Sequence, residues 1–181
     1  CYLDLSAVDA ILALREDVRI EDVEKIIVYV YRYSIELTAD GPMKWRPSTR
    51  ETADHSLPYI LATALREGYI GPENYKESLY KDQDVLDLMD KVEVREDPVY
   101  TQRFPKIQSQ RVELVTRTGD TKIKKVDYPK GHPLQPMDDS EVIRKFDYVL
   151  GGLLSDDHRI SVVNKVMALQ DCPDISNLFD D

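Results

Sequence analysis

The stretch Ile26-Ile27-Val28-Tyr29-Val30-Tyr31-Arg32-Tyr33 constrains the fold of this chain more than any other. β-Branched and aromatic residues fill almost every position, a composition that suits extended backbone and is disfavoured in a helix. It predicts a strand over 26–33 that is apolar on both sides, and such a strand is covered on both sides by other layers. Tyr29, Tyr31 and Tyr33 alternate along it and read as core or interface packing, not as ligand contacts.

The segments around this strand supply the layers. Upstream, Asp4 to Leu14 reads as a helix with Leu5, Val8, Ile11, Leu12 and Leu14 on its apolar face, followed by a charged connector from Arg15 to Glu24. Downstream, a polar stretch with the only tryptophan, Trp45, leads into a short apolar helix. Ser56 or Asp54 serves as its N-cap, Pro58 falls in the first turn where a missing N–H costs nothing, and Gly68 stands at the C-terminal stop. Helical spacing puts His55 and Tyr59 on one side of this helix, and the positive end of the helix dipole favours a neutral imidazole at His55. A neutral imidazole, a phenol and the neighbouring cations suit an anionic, carbonyl- or carboxyl-bearing ligand. The competing reading is a capped helix with a histidine nearby.

Further on, Gly71-Pro72 marks a turn, Glu73–Tyr80 and Asp82–Lys91 read as short helices, and Val92–Arg95 as a brief strand that Asp97-Pro98 ends. A hairpin follows, with arms Ile107–Arg117 and Thr121–Tyr128 about a turn at Thr118-Gly119-Asp120. Lys122, Lys124 and Lys125 mark its second arm as a solvated edge strand. Tyr128-Pro129-Lys130-Gly131-His132-Pro133 forms an ordered loop, in which His132, on the residues alone, reads as a solvent-facing side chain. Two amphipathic helices close the chain. The first, opened by Asp138, carries Val142, Ile143, Phe146, Val149, Leu150 and Leu153; the second buries Ile160, Val163, Val166 and Met167. Both want a helical partner, and the tail from Asp171 docks through Leu178 and Phe179. The fold class expected is α+β: a mixed α/β domain over 1–136 with a long strand and a β-hairpin, then a helical segment over 137–181.

Charge and cysteine usage narrow the partners. With 34 acidic against 24 basic residues the net charge is −10, which argues against nucleic acid or an anionic membrane surface. Cys1 and Cys172 have no metal-ligand spacing and suit a reduced, cytoplasmic protein. No apolar run approaches the roughly 20 residues of a membrane span, and no signal peptide is visible. The first residue is Cys rather than Met, as expected for a piece of a longer chain.

Lys44-Trp45-Arg46-Pro47, followed by Thr49-Arg50-Glu51-Thr52-Ala53-Asp54-His55-Ser56-Leu57-Pro58-Tyr59, resembles the signature of the MmgE/PrpD family, which includes 2-methylcitrate dehydratase, cis-aconitate decarboxylase and iminodisuccinate epimerase. Ser6-Ala7-Val8-Asp9-Ala10, Phe104-Pro105-Lys106, the loop from Tyr128 to Pro133 and Lys145-Phe146 extend the likeness, in order, from about Tyr2 to Leu169. The resemblance implies a two-domain architecture in which residues 1–136 are an α/β lid and 137–181 return to a large helical domain whose N-terminal half lies outside this sequence. It implies a cofactor-free, metal-free lyase or epimerase, and the expectation taken from it is a lyase like 2-methylcitrate dehydratase. Such an enzyme eliminates water from a small di- or tricarboxylate by removing a proton next to a carboxylate. His55 and Tyr59 would be catalytic; Arg50, Lys130 and His132 would bind substrate. The partners implied are the helical domain or subunit and a second copy in a homodimer. Two positions depart from the pattern. Many members carry Phe-His-Gly-Gln-Ser-Ala-Val where this chain has Tyr2-Leu3-Asp4-Leu5-Ser6-Ala7-Val8, and Leu3 and Leu5 can neither transfer a proton nor hold a carboxylate. The alternative is therefore a non-catalytic subunit or interaction module that keeps the fold.

Overall fold

A computed structural model describes residues 1–172 and 174–176 of the chain. It divides into two compact units, Cys1–Gln135 and Pro136–Asp181. In the first, a 3₁₀ turn at Tyr2–Asp4 leads into α1 (Leu5–Arg15), then β1 (Val23–Val30) and α2 (Arg32–Thr38). Three helices follow: α3 (Pro42–Trp45), α4 (Arg50–Asp54) and α5 (Leu57–Glu67). After a 3₁₀ turn at Pro72–Tyr75 come α6 (Glu77–Tyr80), α7 (Gln83–Met89), β2 (Val92–Glu96) and α8 (Pro98–Arg103). The hairpin β3 (Gln110–Thr116) and β4 (Thr121–Val126) completes the unit. Among the described residues no helix is long and apolar enough to cross a membrane.

The four strands form one mixed sheet in the order β2-β1-β3-β4, with β1 parallel to β2 and antiparallel to β3. The expected α+β class is therefore the observed one. On the inner face Ile26, Val28 and Val30 of β1 are fully buried, and Ile26 and Val28 stand beside Val92 and Val94 of β2 and Leu114 and Val112 of β3. Helices α1 and α5 pack together on this face and share one core with it.

The second face corrects the expectation of a strand roofed by elements on both sides. Ile27 lies between Glu93 and Glu113, and Tyr29 between Arg95 and Arg111. Cross-strand neighbours share a face, so the cover here is a layer of charged side chains. The Arg111 guanidinium lies 4.0 Å from the centre of the Tyr29 ring, and Arg95 donates to the Tyr29 hydroxyl at 2.9 Å. Lys25 pairs with Glu93 at 2.7 Å and Arg111 with Glu113 at 3.0 Å. Aliphatic stems and paired charges thus shield an apolar and aromatic strand on this face.

The strand also begins and ends three residues earlier than 26–33. Its neighbour β2 stops at Glu96, opposite Val30, and a backbone with no ladder partner must find its hydrogen bonds elsewhere. Arg32 opens α2 instead, donating its N–H to Thr101 Oγ1 at 2.9 Å. Tyr31 is fully buried and stacks on Phe104 at 4.5 Å, whereas Tyr33 falls on the helix and is exposed. The helix expected over Glu73–Tyr80 is likewise two pieces, because Lys76 adopts an extended conformation between them.

One side chain ties the hairpin to the start of the chain. Gln110, fully buried, accepts the Ala7 N–H at 2.8 Å through Oε1 and donates through Nε2 to the Leu3 carbonyl at 2.9 Å. Helix α1 lacks a side-chain cap of its own from Asp4, and Gln110 supplies one of the acceptors that its first turn needs.

The second unit contains α9 (Asp139–Leu150) and α10 (Asp156–Met167). Asp138 and Glu141 form a reciprocal capping box at the start of α9, and Ser155 caps α10. Val142, Ile143, Phe146, Val162, Val163, Val166 and Met167 line an apolar groove. Only Val162 among the described residues of this unit is buried, while Ile160, Val166 and Met167 are exposed. The expected burial of that α10 face is therefore not met within the chain: two helices have too few partners to close a core. Leu178 and Phe179, expected to dock the tail, lie outside the described residues.

Candidate functional site

The segment with the clearest signature folds as two helices with a break, not one. Thr49 caps α4 by accepting the Thr52 N–H at 3.2 Å, and His55 is the residue after the last turn of that helix. Ser56 then caps α5, accepting the Tyr59 N–H at 3.1 Å and donating its own hydroxyl to the Lys44 carbonyl. Gly68 ends α5 at φ +80°, as its position in the sequence implies. Trp45 is anchored by its indole N–H, which donates to the Ala39 carbonyl at 2.8 Å.

This break separates the two residues expected to share a helix face. His55 lies outside α5 and is exposed, with Nδ1 against the Asp54 carboxylate and 3.2 Å from the Glu51 carbonyl oxygen. Both neighbours are acceptors, so Nδ1 carries the hydrogen and Nε2 of the neutral ring keeps its lone pair. That is the tautomer of a base oriented by a carboxylate. Tyr59 is fully buried, and its hydroxyl donates to the Asn74 carbonyl. Burial raises the Tyr59 phenol above its ordinary value. The expected pairing of His55 with Tyr59 is thus corrected: Tyr59 packs inside the unit and fastens the 3₁₀ turn at Pro72–Tyr75.

A different phenol packs against Tyr59. The Tyr75 ring lies 6.2 Å from that of Tyr59, and its hydroxyl is within electrostatic reach of Asp54, Asp4 and Arg50. Burial and then the Asp54 carboxylate push it up to about 12, so it stays a protonated donor at neutral pH. Arg50 opens α4, is exposed, and makes no ion pair among the described residues. Asp4 completes the group. It is fully buried; one oxygen accepts from Ser34 at 3.3 Å and Thr38 at 3.1 Å, and the other has no partner. Desolvation pushes its carboxyl up to about 6, while hydrogen bonds from Thr38 and Ser34 and the nearby His55 pull it down.

Lys130 and His132 stand on a separate loop. Gly131 adopts φ +92°, and the loop closes on itself: Gly131 N–H to Gln135 O at 2.9 Å, Gln135 N–H to His132 O at 2.8 Å, and His132 N–H to Pro129 O at 3.0 Å. The Leu134 N–H donates to His132 Nδ1 at 3.1 Å, and the imidazole stacks on Tyr128 at 4.7 Å. An Nδ1 that accepts cannot carry a proton, so neutral His132 presents Nε2–H, the opposite tautomer to His55. His132 is half-buried, not the solvent-facing side chain its bare sequence suggests. The loop is fastened to α1 by Asp9, whose Oδ2 accepts the Lys130 N–H at 2.6 Å. Desolvation raises the Asp9 carboxyl, and that hydrogen bond opposes the rise.

The structure therefore brings Arg50, His55, Asp54, Tyr75 and Asp4 into one neighbourhood, holds Lys130 and His132 on a second element, and buries Tyr59 behind Tyr75. The first group offers an imidazole lone pair beside a cation, and the second an imidazole N–H donor beside a cation; each is a kind of group used to move a proton or to meet a carboxylate. Tyr75 and Asp4 carried no signal in the sequence; Asp9 stood within the Ser6–Ala10 motif without a role of its own. Among the described residues no three His, Cys, Asp or Glu side chains converge as ligands for a metal ion. The family model described as the MmgE/PrpD C-terminal domain matches residues 1–169, almost the entire described chain, and the chain belongs to that family.

Proposed function

We propose that this chain is the lid and closing helical segment of a lyase resembling 2-methylcitrate dehydratase, acting on a small di- or tricarboxylate. The family match over residues 1–169 carries the reading, in a family whose members are generally lyases. His55, held by Asp54, takes or returns the proton at the carbon next to a substrate carboxylate through Nε2. Arg50 and Lys130 meet substrate carboxylates as cations, and His132 donates its Nε2–H to one. Tyr75 takes the place of Tyr59 as the phenol that donates near the reacting carbon. The apolar groove of the second unit packs on a helical domain that supplies the other half of the site, and the assembly is a homodimer.

The test is turnover and binding. The full protein, with its helical half, is offered a panel of di- and tricarboxylates including 2-methylcitrate and citrate. Formation of the unsaturated acid supports the reading; neither turnover nor binding of any member of the panel overturns it. A non-catalytic subunit is the second reading, favoured by one observation. Leu3 and Leu5 occupy positions where many relatives carry His and Gln, and among the described residues it is the backbone carbonyl of Leu3 that accepts hydrogen bonds, from Tyr31 and Gln110. Binding without turnover, for every acid tried, selects this alternative.

A further inference from the structure

Asp9 makes a contact that packing alone does not call for. It sits on α1, 121 residues from its partner, and its carboxylate is half-buried against the first amide of the loop that carries His132. Desolvating a carboxylate is unfavourable, and the Lys130 N–H is the group that offsets it. The loop itself is internally fixed by three backbone hydrogen bonds and by the Leu134 N–H on the imidazole. It behaves as a rigid piece, so its placement rests on the few bonds that join it to the body of the unit. Pro129 is buried beside it and anchors the strand side; Asp9 holds the amide one residue on.

We propose that Asp9 is a positioning residue for the carboxylate-binding loop: by holding the Lys130 amide it sets where His132 Nε2–H meets the ligand. The proposal rests on the reading that this loop receives a substrate carboxylate. The same hydrogen bond serves a second purpose. A carboxylate that occupies the Lys130 N–H removes that amide as a competing anion site and directs the ligand to the imidazole donor.

Two variants test this hydrogen bond in the full protein. Asp9→Asn keeps an oxygen that accepts the Lys130 N–H; Asp9→Ala removes it. Hydrogen-exchange mass spectrometry of peptides covering 128–135 reads the loop without any ligand, and calorimetric titration with citrate reads the site. The expected result is faster exchange and about tenfold weaker citrate binding in Asp9→Ala, the scale of one charge-assisted hydrogen bond. Asp9→Asn is expected to restore both to within about threefold. Unchanged exchange in Asp9→Ala overturns the positioning role and leaves the functional reading intact. Faster exchange with unchanged citrate affinity shows a structural tether and also overturns it. If the unaltered protein binds no citrate or other carboxylate, the functional reading fails and the proposal falls with it, whatever the exchange shows.

Discussion

Replacing Asp4 with Asn tests the electrostatics of the candidate site through stability alone. The carboxyl is fully buried, and its folded-state value is about 6 against an ordinary value of 3.8. At about 1.4 kcal/mol per pH unit, that difference makes the ionised group about 3 kcal/mol less favourable in the folded chain than in the unfolded one. The folded chain holds the proton more tightly, so the contribution of Asp4 to stability is fully present below about pH 4. It is lost as pH rises to 6 and stays lost above that. Asp82, Asp127, Glu77 and Glu93, whose values are lowered, act in the opposite direction over nearby pH values, so the wild-type curve alone does not isolate Asp4. Their contribution cancels in the difference between Asp4→Asn and wild type. Urea unfolding of both proteins from pH 4 to pH 7.5 is expected to show that difference moving by about 2.4 kcal/mol in favour of the amide, since part of the change has already occurred by pH 4. A difference constant to within about 0.5 kcal/mol across the range refutes the assignment of a buried, proton-retaining carboxyl.

The remaining substitutions sort chemistry from packing. His55→Gln is expected to lower turnover by at least about a hundredfold while changing stability by less than about 0.5 kcal/mol, because the side chain is exposed; parallel steady-state kinetics and thermal melts check it. Tyr59→Phe leaves the buried Asn74 carbonyl without its donor and is expected to cost about 1–2 kcal/mol of stability, with kcat per folded molecule unchanged. Gly68→Ala is expected to cost about 1–2 kcal/mol, measured by chemical unfolding. The position has φ +80°, and a Cβ there lies 3.0 Å from the Arg15 guanidinium, which bonds the Leu65 and Arg66 carbonyls at the end of α5.

Much of the fold was legible because its signals are local. The Ser56 cap, the proline at 58 and the glycine at 68 bound α5 as expected, and the turn at Thr118–Asp120 located the hairpin. The strand limits were not legible. Tyr31 and Tyr33 have strand propensity, but the end of β2 opposite Val30 decides where β1 stops, and no local pattern records that. Helices of one turn, such as α3 and α4, are too short to show a period. The same division runs through the site. The Arg50–His55 segment announced itself, but the inference that His55 and Tyr59 share a face assumed one continuous helix, and the Asp54–Ser56 break undoes it. Tyr75 near Asp54, Asp4 near His55 and Asp9 on Lys130 are meetings of distant segments, which a linear reading has no means to see.

Gln110 has a consequence for how the chain reaches this state. The first turn of α1 is completed by a glutamine encoded 103 positions after the amide it receives. The Ala7 amide therefore gains this acceptor only when the hairpin is in place, whereas the Leu5 N–H is served locally by the Tyr2 carbonyl. The central strand of the sheet waits in the same way, since its antiparallel neighbour is the very segment that starts with Gln110. The first unit is thus closed by meetings of residues far apart in the sequence, the kind of contact whose loop-closure cost slows folding.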